Sequence, residues 1–193
     1  MRNYLIAITG GIGSGKSVLS GILLKMGYKV YDCDSRAKML IDNNPLIIGR
    51  IRDEVSPDAV NDGIINRSSL GTVVFNNPDA LSRLNNIVHG AVKEDLRQWR
   101  NNCIDDICFV ETAIFYQSRL DSIVDEVWEV HAPENIRISR VMERNGFTED
   151  QVKSRIKAQQ YIPENPHRNI HTVVNDNIKA ILPQIEMLLS RLR

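Results

Sequence analysis

Short, mainly apolar runs recur five times along the chain, and those at residues 4–9 and 107–110 have no polar alternation. The others fall at residues 29–31, 126–130 and 171–175, and most of the stretches between the runs carry apolar residues at helical spacing. An unalternating apolar run is typical of a strand buried on both faces of a parallel sheet. The pattern therefore predicts an α/β fold, with a five-stranded parallel sheet flanked by helices.

The stretch between the second and third predicted strands is too long for a simple crossover. Residues 36–103 have a mainly helical pattern, with an N-cap at Asn44-Pro45 and a turn at Asp62-Gly63, and predict a helical insertion. Two further helices, from Pro133 to Gly146 and from Thr148, which has capping-box spacing to Gln151, to about Gln160, end before Pro163 and predict a small helical lid. We expect a core of residues 1–35, 104–139 and 168–193, the insertion at 36–103, and the lid at 140–167.

Composition and charge exclude some classes of partner. Hydrophobic residues make up 42% and charged residues 25% of the 193-residue chain, and the formal net charge is zero. Zero net charge gives no global field toward nucleic acid or an anionic membrane, and no apolar run approaches the ~20 residues that a membrane span requires. We therefore expect a soluble, cytoplasmic protein with neither a nucleic-acid partner nor a membrane partner.

The cysteines Cys33, Cys103 and Cys108 are odd in number and never spaced as C-x-x-C. This usage favours reduced thiols in a cytosol over a disulfide framework. A zinc site that uses Cys103, Cys108 and a histidine is the alternative, but buried inert thiols are the commoner use of cysteine.

Residues 10–17, Gly-Gly-Ile-Gly-Ser-Gly-Lys-Ser, fit G-x-x-x-x-G-K-[ST], the pattern of a phosphate-binding loop or P-loop. Its glycines let backbone N–H groups converge on phosphate oxygens, Lys16 can reach the β- and γ-phosphates, and the Ser17 hydroxyl can bind Mg²⁺. The dinucleotide-binding pattern fails, because the glycines stand at 10, 11, 13 and 15 and lead into Lys-Ser. The segment predicts a P-loop NTPase fold that binds a nucleoside triphosphate with magnesium.

Two carboxylates follow the second predicted strand. Asp32 and Asp34 are two residues apart, and the ligand crevice of an open parallel sheet lies at the carboxyl ends of its strands. One carboxylate could therefore orient or deprotonate an attacking hydroxyl while the other helps to hold a metal. The alternative is a helix N-cap, in which Asp34 or Ser35 begins the following helix.

The rest of the chain narrows the class of P-loop protein. A GTPase would carry Asp-x-x-Gly and Asn-Lys-x-Asp, and neither pattern is present. A large mechanical ATPase would need more chain and a strand that ends in aspartate, whereas the third strand leads to Glu111. Arg140 and Arg144 share a helix face, and Arg155 and Gln159 repeat that spacing, which favours a cationic phosphotransferase lid. The alternative for each arginine is a solvated face paired with a nearby glutamate.

The ordered set of motifs resembles the dephospho-CoA kinase family of P-loop kinases. Residues 8–17 and 30–34 are similar to the family's opening, and residues 62–70, 74–75 and 84–89 to its substrate-side segments. Residues 140–144, 155–159 and 173–177 are similar to its lid and adenine-side segments. The chain departs from the family at Val18, where threonine is common, after Glu111, where Pro-Leu-Leu-x-Glu is common, and at Gly90, where proline is usual.

The resemblance implies transfer of the ATP γ-phosphoryl group, with Mg²⁺, to the ribose 3′-hydroxyl of dephospho-CoA, which the insertion would bind. It implies that Asp34 is the base, that Lys16 and Arg140 are catalytic, and that Ser17 and Asp32 hold the metal. The implied nucleotide contacts are Gly11, Gly13, Ser14, Gly15, Lys16, Ser17, Val18, Arg144 and Asn177, and the implied substrate contacts are Asp34, Arg67, His89 and Gln159.

Other functions and roles stay open at this point. A nucleoside or nucleotide kinase would share the P-loop and the lid, and a non-catalytic ATP-dependent regulator would bind ATP without a small acceptor. His89 could instead be a packed helix-end histidine. We expect a monomer or a weak homo-oligomer.

Overall fold

The computed structural model describes residues 3–159 and 163–192. The strands are β1 (Tyr4–Thr9), β2 (Lys29–Asp32), β3 (Val60–Asn61), β4 (Ile64–Ile65), β5 (Ile107–Glu111), β6 (Glu126–His131) and β7 (Ile170–Val174). The helices are α1 (Lys16–Lys25), α2 (Cys33–Asn43), α3 (Pro45–Glu54), α4 (Arg67–Asn76), α5 (Pro78–Asn101), α6 (Glu134–Asn145), α7 (Glu149–Ala158) and α8 (Ile181–Ser190).

Five strands form one sheet in the order β2-β5-β1-β6-β7, so β1 lies at its centre. β1 pairs in parallel with β5 on one side and with β6 on the other, and β6 pairs in parallel with β7. The predicted α/β fold with a five-stranded parallel sheet is confirmed. Because β1 has β5 and β6 as neighbours, the loops that follow these three strands leave the same edge of the sheet.

The chain divides into two compact units. The first contains Met1–Tyr31 and Cys103–Arg193, and the second contains Asp32–Asn102. The second unit holds α2 to α5 and the small β3-β4 pair. The predicted lid, residues 140–167, belongs to the first unit, and its residues 160–162 lie outside the described residues, as do residues 1–2 and 193 of the predicted core.

The core of the first unit is built on the faces of the central strands. Ile6, Ile8, Phe109 and Trp128 are fully buried, and in β1 Leu5 and Ala7 are buried as well, which explains why that strand shows no polar alternation. Apolar side chains of α1 and α8 pack in the same cluster, and the rings of Phe109 and Trp128 lie edge to face at 5.2 Å. This packing fixes the carboxyl end of β1, from which the P-loop begins.

The second unit has its own apolar core and well-defined helix starts. Residues of α3, α4 and α5 form the cluster, with Ile51 and Ile87 almost fully buried. Asn44 caps α3, as the Asn-Pro pair predicts, and its side chain accepts hydrogen bonds from the first turn. The predicted turn at Asp62-Gly63 closes the two-residue strands β3 and β4, with φ of 50° and 77° at its centre.

A helical hairpin follows β6 in the first unit. We call α6, α7, their connection and the C-cap Gln159 of α7 the α6–α7 hairpin (residues 134–159). Gly146 ends α6 with φ of 67°, and Thr148 and Gln151 form the predicted capping box at the start of α7. The two helices share an apolar cluster of Val141, Val152 and Ile156, and the P-loop residue Ile12 packs against it.

No helix within the described residues is long and apolar enough to cross a membrane. Cys33 and Cys108 are buried, Cys103 is half-buried, and none of them forms a disulfide. Within residues 3–159 and 163–192 no group of three or more His, Cys, Asp or Glu side chains is arranged to hold a metal ion.

Candidate active site

The P-loop connects β1 to α1 and leaves the start of α1 open to a ligand. Gly15 is the N-cap of α1 in a left-handed conformation with φ of 100°, and no side chain caps the helix there. A helix start without a side-chain cap has N–H groups available for an anion, and the helix dipole favours negative charge at that point. A Cβ at residue 15 would overlap the amide of Asn175. Glycine is therefore required here by both conformation and space.

The side chain of Lys16, at the end of the P-loop, reaches back to the start of the loop. Its Nζ donates to the carbonyl oxygen of Gly10 at 2.8 Å, with the Gly11 carbonyl farther away at 3.5 Å. The ammonium group is thus held beside the loop that would surround the phosphates. Val18, at the third position of α1, is 52% exposed, and its backbone N–H donates to the Gly15 carbonyl.

A carboxylate lies next to Ser17, and sequence reasoning missed it. The Ser17 hydroxyl donates to Glu111 Oε1 at 3.1 Å, and Glu111 is the last residue of β5, the strand paired with β1. From the sequence, only an aspartate at the end of this strand was considered as a metal ligand, so Glu111 was not predicted. The sequence does show an acidic residue at the end of an apolar strand. It does not show that β5 pairs with β1, which is what brings Glu111 to Ser17.

Arg140 contacts the P-loop from outside. Its guanidinium donates to the carbonyl oxygens of Gly13 at 3.3 Å and Ser14 at 3.4 Å, and to the side-chain oxygens of Asn175 and Asn177. The N–H groups of a phosphate nest face inward, so carbonyl oxygens that bind Arg140 mark the outer face of the loop. Sequence reasoning selected Arg140 and Asn177 but not Asn175, whose buried amide also donates to the Ser14 carbonyl at 2.8 Å.

The α6–α7 hairpin contacts the loop at Ile12. Arg137 Nε donates to the Ile12 carbonyl at 2.9 Å, and the Ile12 N–H donates to Gln159 Oε1 at 2.7 Å. The resemblance places Gln159 on the substrate, whereas here it lies on the P-loop. Arg137 was not selected from the sequence, and partial burial lowers the pKa of its guanidinium. Its side chain also lies against Gly11, where an added Cβ would overlap the guanidinium.

Ser14 and Arg144 have different surroundings. The Ser14 side chain is buried, and its hydroxyl has no hydrogen-bond partner among the described residues. Arg144, in the last turn of α6, is exposed and donates to the side chain of its neighbour Asn145 at 2.9 Å. The nucleotide-binding roles of both residues stay predictions.

The two aspartates after β2 have different environments in the second unit. Asp32 is the N-cap of α2, and its carboxylate accepts from the N–H groups of Asp34 and Ser35 and from the Ser35 hydroxyl at 2.6 Å. The alternative that Asp34 or Ser35 caps this helix is therefore wrong, because the helix begins directly after the strand. Asp34 is exposed in the first turn, and within the described residues its carboxylate has no hydrogen-bond or ion-pair partner.

The two remaining substrate candidates lie on helices of the second unit. Arg67 begins α4 and pairs with Asp42, both oxygens of which lie within 2.8 Å of Nη2. His89 lies inside α5, so it is not a helix-end histidine, and burial lowers the pKa of its imidazole. A lowered pKa favours the neutral ring, which can donate and accept one hydrogen bond each.

Known proteins match this chain over nearly all its length. A model of the dephospho-CoA kinase family matches residues 4–181. Dephospho-CoA kinase of Porphyromonas gingivalis is 39% identical over 97% of this chain and 94% of its own, and that of Bacteroides fragilis is 36% identical over 96% and 91%. These relatives are similar to the chain from its P-loop to α8.

Solved structures agree with the sequence relatives. A protein of Thermus thermophilus is 28% identical with a TM-score of 0.79, over 100% of this chain and 97% of its own. A dephospho-CoA kinase from Campylobacter jejuni is 25% identical with a TM-score of 0.67, over 96% and 95%. With the P-loop, the parallel sheet and the matched residues taken together, the chain belongs to the dephospho-CoA kinase family.

Proposed function

We propose that this protein transfers the γ-phosphoryl group of ATP to the ribose 3′-hydroxyl of dephospho-CoA, giving coenzyme A and ADP. The observation that carries the proposal is a complete P-loop at the carboxyl end of β1, in a chain that belongs to the dephospho-CoA kinase family. The core of residues 1–35, 104–139 and 168–193 would bind ATP, the helical insertion at 36–103 dephospho-CoA, and residues 140–167 would act as the lid.

The donor phosphates would bind to the P-loop and the first turn of α1. We propose that Gly11 and residues 13–18 contact the phosphates through backbone N–H groups, and that Lys16 exchanges the Gly10 carbonyl for the β- and γ-phosphates. That exchange replaces a neutral acceptor with a charged one, which makes the hydrogen bond stronger. Arg144 is proposed to stabilise transition-state charge together with Arg140, and Asn177 is proposed to lie near the adenine.

Magnesium fits the oxygen pair formed by Ser17 and Glu111. Mg²⁺ prefers oxygen ligands and binds through one or two protein groups together with substrate phosphates and water. A hydroxyl hydrogen-bonded to a carboxylate at 3.1 Å is such a donor set. When bound, the ion would neutralise charge that develops on the β- and γ-phosphates. Asp32 was selected as a second ligand, and it would have to give up its three hydrogen bonds at the start of α2 to serve as one.

Asp34 is proposed as the base for the acceptor hydroxyl. The 3′-hydroxyl oxygen forms a bond to the γ-phosphorus, the bond from that phosphorus to the β,γ-bridging oxygen breaks, and the hydroxyl proton passes to Asp34. A base must be exposed to its substrate, and the Asp34 carboxylate is exposed. Arg67 and His89 are proposed to hold dephospho-CoA in the same unit. Gln159, which binds the Ile12 N–H in this structure, would need to turn to reach the substrate.

An acceptor panel tests the function directly. With ATP and Mg²⁺ present, dephospho-CoA should be phosphorylated at least about 10²-fold more efficiently, in kcat/KM, than nucleosides or nucleoside monophosphates, because discrimination of this size needs only a few kcal/mol of differential binding. A preference for a nucleoside monophosphate would assign the chain to nucleotide kinases. ATP binding without phosphorylation of any acceptor would favour a non-catalytic ATP-dependent regulator.

Replacing Glu111 by glutamine should weaken the response to magnesium. The substitution keeps the size and removes the charge, so the Mg²⁺ concentration for half-maximal rate should rise about tenfold or more, as for other groups that support a metal ligand. The measurement is the initial rate as a function of free Mg²⁺ at saturating ATP. Glu129→Gln, at an exposed position of β6 in the same sheet, is the matched control. An unchanged magnesium dependence would remove Glu111 from the site.

Replacing Arg140 by alanine should lower kcat more than it weakens ATP binding. The proposed role is to offset charge on the transferred phosphoryl group, a contact that strengthens in the transition state. Because Arg140 here binds the carbonyls of Gly13 and Ser14, that role requires its guanidinium to exchange these acceptors for phosphate oxygens. Steady-state kinetics with both substrates varied provide the comparison. Equal losses in kcat and ATP affinity would assign Arg140 to ground-state binding.

We also propose a cytoplasmic protein that is a monomer or a weak homo-oligomer and acts on small molecules without a nucleic-acid partner. Sedimentation equilibrium over a range of concentrations tests the oligomeric state. A single tight oligomer at all concentrations would contradict it.

A further inference from the structure

Ile12 is the P-loop residue that the α6–α7 hairpin holds from several sides. Its carbonyl accepts from Arg137 Nε at 2.9 Å, and its N–H donates to Gln159 Oε1 at 2.7 Å. Its side chain packs against the apolar cluster of the hairpin, whose members Val141 and Val152 are fully buried. Both backbone polar groups and the side chain of this residue are therefore engaged by one supersecondary element.

The glycines on either side of Ile12 extend the contact. A Cβ at Gly13 would come within 2.6 Å of the Arg137 carbonyl oxygen and 3.0 Å of its Cα, so the P-loop backbone lies directly against the backbone of α6. Gly11 lies against the Arg137 guanidinium. The approach is close on both sides because neither neighbour of Ile12 has a side chain.

The hydrogen bonds of Arg137 and Gln159 go to Ile12, which is not among the residues proposed to bind phosphate. The proposed phosphate contacts come from its neighbours and from the start of α1, with the Lys16 ammonium group beside Gly10 and the Ser17 hydroxyl on Glu111. The hairpin contacts act on Ile12, in the first half of the loop. They can control loop shape without touching ATP phosphates.

We propose that Arg137 and Gln159 are positioning residues, which clamp Ile12 and thereby keep the P-loop in its phosphate-binding shape. The inference rests on the proposed function in so far as the ligand is ATP. Without the clamp, the loop samples other conformations, and ATP binds only to the fraction that has the correct shape. The apparent Kd for ATP then rises as this fraction falls. By contrast, kcat at saturating ATP changes little, because bound phosphates hold the loop in its correct shape.

Two single substitutions test the two halves of the clamp. Arg137→Met keeps the length and apolar stem of the side chain but removes the donor, and Gln159→Met removes the acceptor without changing charge. Each should raise the Kd for ATP about tenfold, the equivalent of one net hydrogen bond. Isothermal titration calorimetry with ATP and Mg²⁺, in the absence of any acceptor substrate, measures this Kd. An unchanged Kd in both variants overturns the proposal.

Further variants separate a clamp from simple packing or charge. Arg137→Lys keeps a donor and the positive charge, and its Kd should stay within about threefold of the unsubstituted protein. If packing alone matters, the Lys and Met variants will have the same Kd, and the proposal is wrong. Lys153→Met removes a positive charge from an exposed position of α7 and should leave the Kd unchanged.

The double variant tests whether the two contacts form one device. Once Ile12 is released by either substitution, the second has little left to disrupt. Arg137→Met combined with Gln159→Met should therefore raise the Kd by much less than the product of the two single effects. A fully multiplicative effect would show that the residues act independently and would contradict a shared clamp.

The design separates this inference from the proposed function. The Kd for ATP is measured without dephospho-CoA, so a protein that binds ATP but fails to phosphorylate dephospho-CoA would reject the proposed function while the variants still decide on the clamp. Steady-state kinetics adds a second readout where turnover is present. There KM for ATP should rise in the Arg137→Met variant and kcat should change by less than about threefold.

Discussion

Replacing Asp34 by asparagine is expected to lower kcat by at least about 10², which is the typical contribution of a positioned general base. Asparagine keeps the shape of the side chain and cannot accept a proton. ATP affinity should be nearly unchanged, because Asp34 is not proposed to contact ATP. The start of α2 should also persist, since its N-cap is Asp32 and the Asp34 contribution to that cap is a backbone N–H.

The measurement combines steady-state turnover with calorimetric ATP binding. Asp53→Asn is the matched control, because Asp53 is an exposed carboxylate in the same unit and pairs with its neighbour Arg52. A variant with normal turnover would remove Asp34 from the mechanism. Loss of turnover with an equal loss of ATP affinity would also contradict the role of base, since it would indicate a damaged donor site.

Replacing Lys16 by methionine is expected to lower kcat/KM for ATP by at least about 10², the usual effect of removing one donor that stabilises transition-state charge. Methionine keeps most of the aliphatic stem and removes the ammonium group. The ammonium group has two uses. It donates to the Gly10 carbonyl in this structure, and it would bind the β- and γ-phosphates when ATP is present.

Lys25→Met, in the last turn of the same helix, controls for the removal of a lysine from α1. Initial rates at varied ATP, together with thermal unfolding, separate a kinetic effect from a folding effect. Near-normal kcat/KM in the Lys16 variant would contradict its assignment. A large drop in the unfolding temperature would assign the lysine to loop stability instead.

Local signals in the sequence predicted the framework well. The P-loop pattern, the capping box at Thr148 and the glycine at residue 146 each depend on residues within one turn, and the structure has all three. β1 and β5 were predictable because strands buried on both faces have unbroken apolar runs, and the other three strands carry mainly apolar runs. These features need no knowledge of which elements are neighbours.

Contacts between distant segments could not be predicted in the same way. Glu111 could not be predicted as a site residue, because it lies beside Ser17 only through the pairing of β5 with β1. Ser17 is 94 residues earlier in the chain. Arg137 lies on a helix with other arginines, and nothing in the sequence distinguished it from an arginine on a solvent-exposed face. Gln159 was selected through a resemblance, but its observed partner, the Ile12 N–H, is 147 residues away.

The helix cap after β2 shows a different limit. Asp32, Asp34 and Ser35 are all good capping residues, so composition alone could not choose among them. The structure selects Asp32 because β2 ends there and α2 begins at the next residue, which leaves no connecting loop. An error of two residues in a helix start changes which carboxylate caps the helix and which is left for chemistry.

Gly11 is constrained in a way that a P-loop pattern does not convey. Its backbone φ is not among the positive values found at Gly10, Gly13 and Gly15, so an L-residue could adopt its conformation. What excludes a side chain is the guanidinium of Arg137, which occupies the space that a Cβ would need. Positions 11 and 137 should therefore change together over evolution. Relatives with a shorter side chain at 137 should tolerate alanine at 11, whereas relatives that keep arginine should keep glycine.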